Sequence, residues 1–240
     1  MYFRGVRLKN RIELYNDDCL EVLKTIKSNS VDLVLIDPPY EISRSSGFKN
    51  GGDSSKYGNF DIDFGEWDYN FDIMEQVVKE SYRVLKQGGT LFCFYDLWKL
   101  TTLKEYFEEA KFKQIRFIEW LKTNPVPINS KVNYLSNARE IALSGVKGGK
   151  PTFNSSYDNG VYTYPINHEK DRFHPTQKPI PLITEILKKH SNEGDLVLDC
   201  FMGSGTTGVC CKNLNRQFIG VEIDKEYFSK AKLRIETKGS

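Results

Sequence analysis

The sequence contains no uninterrupted apolar run approaching the ~18 residues that a membrane-spanning helix needs. Its opening, Met1-Tyr2-Phe3-Arg4, lacks the apolar stretch of a secretory signal. These two absences point to a soluble, cytoplasmic protein with no membrane partner. Cysteine is scarce: Cys19, Cys93, Cys200, Cys210 and Cys211 are five in number, and none forms a C-x-x-C pair. An odd count without ligand spacing excludes a disulfide framework and argues against a zinc site, so no metal is expected. Internal repeats and low-complexity tracts are also missing, which excludes solenoids and fibrous arrays. Charge of one sign is not in excess either. A net charge of +2 does not by itself announce a nucleic-acid binder.

What is present fits one α/β domain spanning residues 1–240, with 39% hydrophobic and 13% aromatic residues to fill a core. Charge is unevenly spread. Residues 51–80 carry eight acids against two lysines, and residues 111–150 carry eight bases against two acids. The second stretch could face phosphates or could be an ordinary solvated surface. Short β-branched runs alternate with helical patterns, as in a mainly parallel sheet covered by helices. Strands are expected at 12–15, 31–36, 90–95, 115–121, 140–144, 196–199 and 218–223, with 115–121 and 140–144 as antiparallel partners. Helices are expected at 20–26, 71–85, 101–110, 179–190, 206–214 and 226–235, the second of them stopped by Gly88-Gly89. Residues 43–66 read as a mobile loop, and 145–173 as a small irregular insertion.

Residues 196–208, Leu-Val-Leu-Asp-Cys-Phe-Met-Gly-Ser-Gly-Thr-Thr-Gly, run from a strand through a glycine turn into a helix. Gly203, Gly205 and Gly208 match G-x-G-x-x-G in that context, where a missing Cβ lets the backbone approach a ligand. Glu222 ends the next strand about 20 residues on, where a carboxylate can accept from ribose hydroxyls. Asp199 places a second acid on the same rim. No Lys-Ser/Thr follows the glycines, so a P-loop is excluded. The unit by itself says nucleoside cofactor, with a dinucleotide as acceptable as any other. An acid just before the glycines suits a cofactor with a cationic amino-acid end.

The run 31–40, Val-Asp-Leu-Val-Leu-Ile-Asp-Pro-Pro-Tyr, is more specific. Pro38 and Pro39 stiffen the turn after a buried strand and fix the direction of the Asp37 carboxylate and the nearby carbonyls. Tyr40 offers a face on which a base can stack. Hydrogen-bond acceptors beside a stacking ring suit an exocyclic NH₂ group. Its lone pair is delocalised into the ring, and gripping both N–H bonds would free that lone pair for attack. The plainer alternative is a rigid strand-end turn with a buried tyrosine.

These residues resemble the amino-methyltransferases of bacterial restriction–modification systems. Asp37–Tyr40 matches that family's catalytic Asp-Pro-Pro-Tyr. Phe201-Met-Gly203-Ser-Gly205-Thr206 matches its Phe-x-Gly-x-Gly-Thr cofactor loop. His174–Pro179 matches the His-Pro-Thr-Gln-Lys-Pro of the permuted β group, in which the catalytic motif comes first. The resemblance covers nearly the whole chain. It implies a Rossmann-like methyltransferase fold: a mainly parallel seven-stranded sheet with one antiparallel strand and circularly permuted motif order.

The resemblance further implies S-adenosyl-L-methionine as cofactor, S-adenosyl-L-homocysteine as product and double-stranded DNA as partner, in a bacterial or phage-type host. Asp37, Pro38, Pro39 and Tyr40 would be catalytic. Asp18 (Asp17 being a weaker match), Asp37, Thr176, Gln177, Lys178, Asp199, Phe201, Gly203, Ser204, Gly205, Thr206 and Glu222 would hold the cofactor. Lys122, Asn124 and Lys131 would face DNA. A homodimer and a cognate restriction endonuclease are compatible partners, and residues 145–173 and the 43–66 loop are candidate target-recognition regions. Asp-Pro-Pro-Tyr favours N6 of a flipped-out adenine, while cytosine N4 or RNA would keep the same chemistry. A protein glutamine acceptor is disfavoured by Asp37, and cytosine C5 by the lack of a Pro-Cys dipeptide. A catalytically silent DNA- or nucleotide-binding relative is the alternative from another class.

Overall fold

A computed structural model describes residues 11–39, 73–125, 137–166, 172–174 and 176–237. Tyr40, the 43–66 loop and Lys131 lie outside the described residues. Along the chain the elements are β1 (Ile12–Tyr15), α1 (Cys19–Thr25), β2 (Val31–Ile36), α2 (Met74–Val84) and β3 (Leu85–Tyr95). There follow α3 (Leu100–Glu109), β4 (Lys113–Lys122), β5 (Arg139–Val146), β6 (Val161–Tyr164) and α4 (Ile180–His190). The chain closes with β7 (Leu196–Asp199), α5 (Thr206–Asn213), β8 (Gln217–Val221) and α6 (Lys225–Thr237).

The strands form one sheet in the order β1-β8-β7-β2-β3-β5-β4-β6. Every neighbouring pair is parallel except those made by β5, which runs antiparallel to both β3 and β4. The single antiparallel strand is as expected, but the described residues hold eight strands and not seven. The extra one, β6, comes from the segment read as irregular. It is only four residues long, too short for its period-2 pattern to stand out among glycines and asparagines. Tyr162 in that strand is buried, and its hydroxyl donates to Asp158 Oδ2 at 2.8 Å. Lys189 on α4 then bridges Asp158 (2.9 Å) and Glu185 (2.6 Å), tying this edge to the helix behind it.

Side-chain alternation along the sheet builds two cores, one on each face. Val34 and Ile36 of β2, with Leu91 and Cys93 of β3, pack against Val22 and Leu23 of α1, Val77 and Val78 of α2 and Phe107 of α3. Leu33, Leu35, Phe92 and Phe94 face the other way, onto Ile183 and Ile186 of α4, Val209 of α5 and Ile235 of α6. The second helix does not run up to the Gly88-Gly89 pair. It ends at Val84, and Leu85 already pairs with Val31 in the sheet. Register then jumps from Val31–Leu85 to Leu33–Thr90, so residues 86–89 bulge out of β3. Gly88 sits at φ +82°, and a Cβ there would lie 2.4 Å from the Lys150 carbonyl oxygen. The glycines serve a bulge, not a helix stop. None of the described helices is long and apolar enough to cross a membrane.

Chain direction places the site. The chain leaves β2 toward the helices on one face and leaves β7 toward those on the other. Because β2 and β7 are neighbours, a crevice opens between their carboxyl ends, where open α/β sheets bind ligands.

Candidate active site

Asp37-Pro38-Pro39 follows β2 directly, outside the hydrogen-bonded ladder, with Pro38 buried. The Asp37 carboxylate forms an ion pair with the Lys178 ammonium through Oδ2. Lys178 lies just before α4, and only 7% of its side chain is exposed. Its ammonium also stands 3.0 Å from Glu140 Oε2 and 4.9 Å from the centre of the Phe94 ring. Glu140 in turn pairs with Lys122 at 2.7 Å. Four charges therefore alternate in sign: Asp37, Lys178, Glu140, Lys122. Burial opposes the Lys178 charge, but the two carboxylates outweigh it and hold the ammonium above its ordinary range. Burial pushes Glu140 up as well, yet Lys178 and Lys122 keep it below the usual carboxylate range.

On the β7 side, the loop after Asp199 turns through Gly203 (φ +47°) and Gly205 (φ +73°), which caps α5. Only glycine takes this conformation without strain. Gly205 is also crowded: a Cβ would lie 3.0 Å from Ile235 Cδ1 and 3.1 Å from Ala231 Cβ. Gly205→Ala should cost about 1–3 kcal/mol from backbone strain and overpacking. Thermal melting should therefore drop by several degrees, and an unchanged melting temperature would contradict this account. Arg234, buried on α6, braces the loop by donating to the Ser204 carbonyl (3.0 Å) and to Thr206 Oγ1 (2.9 Å). The Thr206 hydroxyl donates to the Lys178 carbonyl at 3.3 Å, so this loop and the segment before α4 are fastened together. The Ser204 and Thr206 side chains thus serve the shape of the loop.

Asp199 is buried, and its Oδ1 accepts the Phe201 amide at 3.1 Å. Burial above all, then the negative charges of Asp37 and Glu222, push its carboxyl up to about 7 against the hydrogen bonds it receives. Glu222 is raised too, mainly by burial; Oε2 accepts the Gly203 amide at 3.0 Å and Oε1 the Asp224 amide at 2.9 Å. Asp18 caps α1, accepting from the Leu20 amide at 2.8 Å. Asn16 ties this end of β1 to the rim by donating to the Glu222 carbonyl at 2.8 Å.

Between the two halves lies the segment before α4. Burial, followed by the Lys178 and Arg172 charges, lowers the His174 imidazole to about 4, so the ring is neutral. Its Nδ1 accepts the Thr176 amide at 3.3 Å, and its ring packs on Tyr227 with centroids 4.6 Å apart. A Cβ on Gly203 would lie 3.4 Å from its Nε2. Thr176 is exposed. Gln177 is buried, and its amide oxygen has no hydrogen-bond partner among the described residues.

Residues 31–233 match the family described as DNA methylase. The chain belongs to this family. Among its relatives, the Type II methyltransferase M2.DpnII of Streptococcus pneumoniae is 32% identical over 96% of this chain and 91% of its own length. M.HinfI of Haemophilus influenzae is also 32% identical, over 91% of this chain and 66% of its own. The structure of the M1.HpyAVI–SAM complex superposes with a TM-score of 0.71 at 32% identity, covering 93% of this chain and 99% of that one. The cytosine-N4-specific PvuII methyltransferase reaches a TM-score of 0.73 at 18% identity, a likeness of fold alone.

This DNA methylase has S-adenosylmethionine as its cofactor, and the residues present fit it. The turn at Gly203, partly exposed beside His174, leaves room for a ligand that a side chain would narrow. The Gln177 oxygen is a buried acceptor awaiting a donor, and Asp199, Glu222 and Asp37 make the rim acidic enough for a ligand with positive charge. The structure brings Asp37, Lys178, Asp199, Phe201, Gly203, Gly205 and Glu222 together at the carboxyl edge of the sheet. Lys122 and Asn124 have other surroundings than open DNA-facing surface. Lys122 is held by Glu140, with 16% of its side chain exposed, and Asn124 Oδ1 accepts the Ile166 amide at 2.7 Å. Sequence reasoning missed Glu140 and Arg234. Glu140 had a readable signal: an acid at the start of the one antiparallel strand must lie at the carboxyl edge of the parallel ones.

Proposed function

We propose that this methylase transfers the methyl group to N6 of an adenine flipped out of duplex DNA at a specific site. The observation that carries this reading is the Asp37-Pro38-Pro39 turn, set at the end of β2 with its half-buried carboxylate paired to the buried Lys178 and the cofactor loop opposite. When bound, S-adenosylmethionine supplies a methyl group on a sulfonium, already activated for in-line transfer. The Asp37 carboxylate accepts one N–H of the target amine, and the Pro38 carbonyl accepts the other. The nitrogen lone pair is then turned out of the ring plane toward the methyl carbon. With that methyl group transferred to the nitrogen and the sulfonium released as a neutral thioether, Asp37 would take the proton the amine loses. Tyr40, which follows in sequence, stacks on the flipped base and offsets part of the few kcal/mol that unstacking costs. Positioning supplies most of the catalysis.

The 145–173 region is assigned to base reading within a single catalytic domain. Phe153 and Tyr157 are exposed on it, while Asp158 anchors it to α4. Lys131 is assigned to phosphate contact. A homodimer, a cognate endonuclease and a cytoplasmic location in a bacterial host fit the restriction–modification relatives. Nucleoside mass spectrometry on unmethylated DNA incubated with isotopically labelled cofactor tests the reading. Labelled N6-methyladenine is expected. Labelled N4-methylcytosine would move the reaction to the other amine, and no label on any DNA would refute the reading.

A further inference from the structure

We propose that Glu140 is a positioning residue for methyl transfer: by sharing the Lys178 ammonium with Asp37 and holding Lys122, it keeps the half-buried charge cluster neutral and leaves Asp37 able to receive the target amine. The inference rests on the reading of Asp37 as the acceptor for that amine.

The geometry carries it. The Lys178 ammonium is bonded to Asp37 on one side and lies 3.0 Å from Glu140 on the other, so neither carboxylate has it alone. An ammonium committed wholly to Asp37 would pull electron density from the carboxylate and weaken it as an acceptor. Glu140 divides that pull. Its other oxygen holds Lys122, whose ammonium lies 5.2 Å from the centre of the Trp120 ring. Two acids and two lysines therefore cancel in a site walled by Phe94 and Trp120. Positive charge develops on the amine during transfer, and an uncompensated lysine at this depth would oppose it more strongly than in water. A merely structural salt bridge would have no need to face Asp37. This one does because β5 runs against its neighbours and begins where they end.

Other ionisable groups face the cluster from its surroundings: Cys93 on β3, His174 before α4 and Asp199 at the end of β7. The Cys93 thiol is pushed well above its ordinary range, chiefly by burial, and the His174 ring is neutral above about pH 4. Asp199 is pushed up to about 7, chiefly by burial, and belongs to the proposed cofactor site. Measuring kcat at saturating cofactor therefore separates its contribution from that of Asp37.

The test compares wild type, Glu140→Gln and the double variant Glu140→Gln/Lys122→Met on unmethylated DNA, with cofactor affinity and melting temperature measured alongside. Glu140→Gln leaves the buried Lys178 and the half-buried Lys122 against one carboxylate. Its kcat should fall on the order of 10- to 100-fold while cofactor affinity holds. The acid limb of its pH–kcat profile should move to lower pH, because Asp37 loses a nearby like charge. The double variant restores neutrality and should recover most of the lost kcat, and it carries the test if the single variant melts below the assay temperature. Wild-type kcat and an unmoved acid limb in Glu140→Gln would overturn the proposal. So would a double variant as slow as the single one at equal folded concentration. Full activity in Asp37→Ala would instead refute the reading beneath it.

Discussion

Asp37→Ala should still bind S-adenosylmethionine but lose methyl transfer by about 10³-fold or more in kcat, equivalent to roughly 4 kcal/mol of transition-state stabilisation. The lone pair of the target amine is a poor nucleophile while delocalised into the base. In the proposed reaction Asp37 would hold one N–H out of conjugation and take the proton afterwards. Deleting it also leaves the Lys178 ammonium facing the reacting nitrogen with only Glu140 to offset it. The fall should therefore exceed that from losing a single neutral hydrogen bond. Cofactor affinity should change less than tenfold, because the glycine turn, Gln177 and Glu222 are untouched. Asp37→Asn is the sharper comparison: it keeps an acceptor oxygen but cannot carry the proton, and should be slower than wild type yet faster than alanine. Rapid-quench kinetics on DNA with labelled cofactor measure these steps. A kcat for Asp37→Ala within tenfold of wild type would remove Asp37 from the chemistry.

Much of this site was legible in the sequence because its main parts are local. A strand followed by Asp-Pro-Pro, and a strand followed by a glycine turn, each announce geometry within about ten residues. The mainly parallel sheet then brings both strand ends to one edge. Strand limits at 12–15, 31–36 and 196–199 coincide with β1, β2 and β7, whose apolar runs are bounded sharply by polar or turn residues. The reading failed where a non-local partner decides. Gly88-Gly89 resembles a helix stop until Leu85 is seen pairing with Val31, 54 residues earlier. Glu140, which β5 brings beside Lys122, is likewise a partner that no local pattern announces. Arg234 gave no local sign that it would be buried, since its partners Ser204 and Thr206 lie 30 and 28 residues away.

Asp199→Asn should make the cofactor-free protein more stable at neutral pH and yet cripple cofactor binding. The buried carboxyl titrates at about 7 in the folded protein against an ordinary value of 3.8. It thus binds more protons folded than unfolded, and its contribution to stability falls as pH rises from about 4 to about 7. At pH 7.5 the wild type carries nearly the full cost of an ionised carboxylate beside Asp37 and Glu222, on the order of a few kcal/mol. An isosteric amide can keep the bond from the Phe201 amide without that charge, so melting should rise several degrees at pH 7.5 and change little near pH 4. The same ionised carboxylate is what a cationic amino-acid end would pair with, and pairing would draw the proton off. Wild-type affinity for S-adenosylmethionine should accordingly weaken on the order of 10- to 30-fold between pH 7.5 and 5.5. The variant should bind weakly and show no such slope. Calorimetric titration in two buffers of different ionisation heat would also register the proton released. Equal affinity of variant and wild type at pH 7.5, or a flat wild-type profile, would mean that Asp199 serves only to shape the turn. The predicted gain in stability would then stand as the relief of a strain with no function behind it.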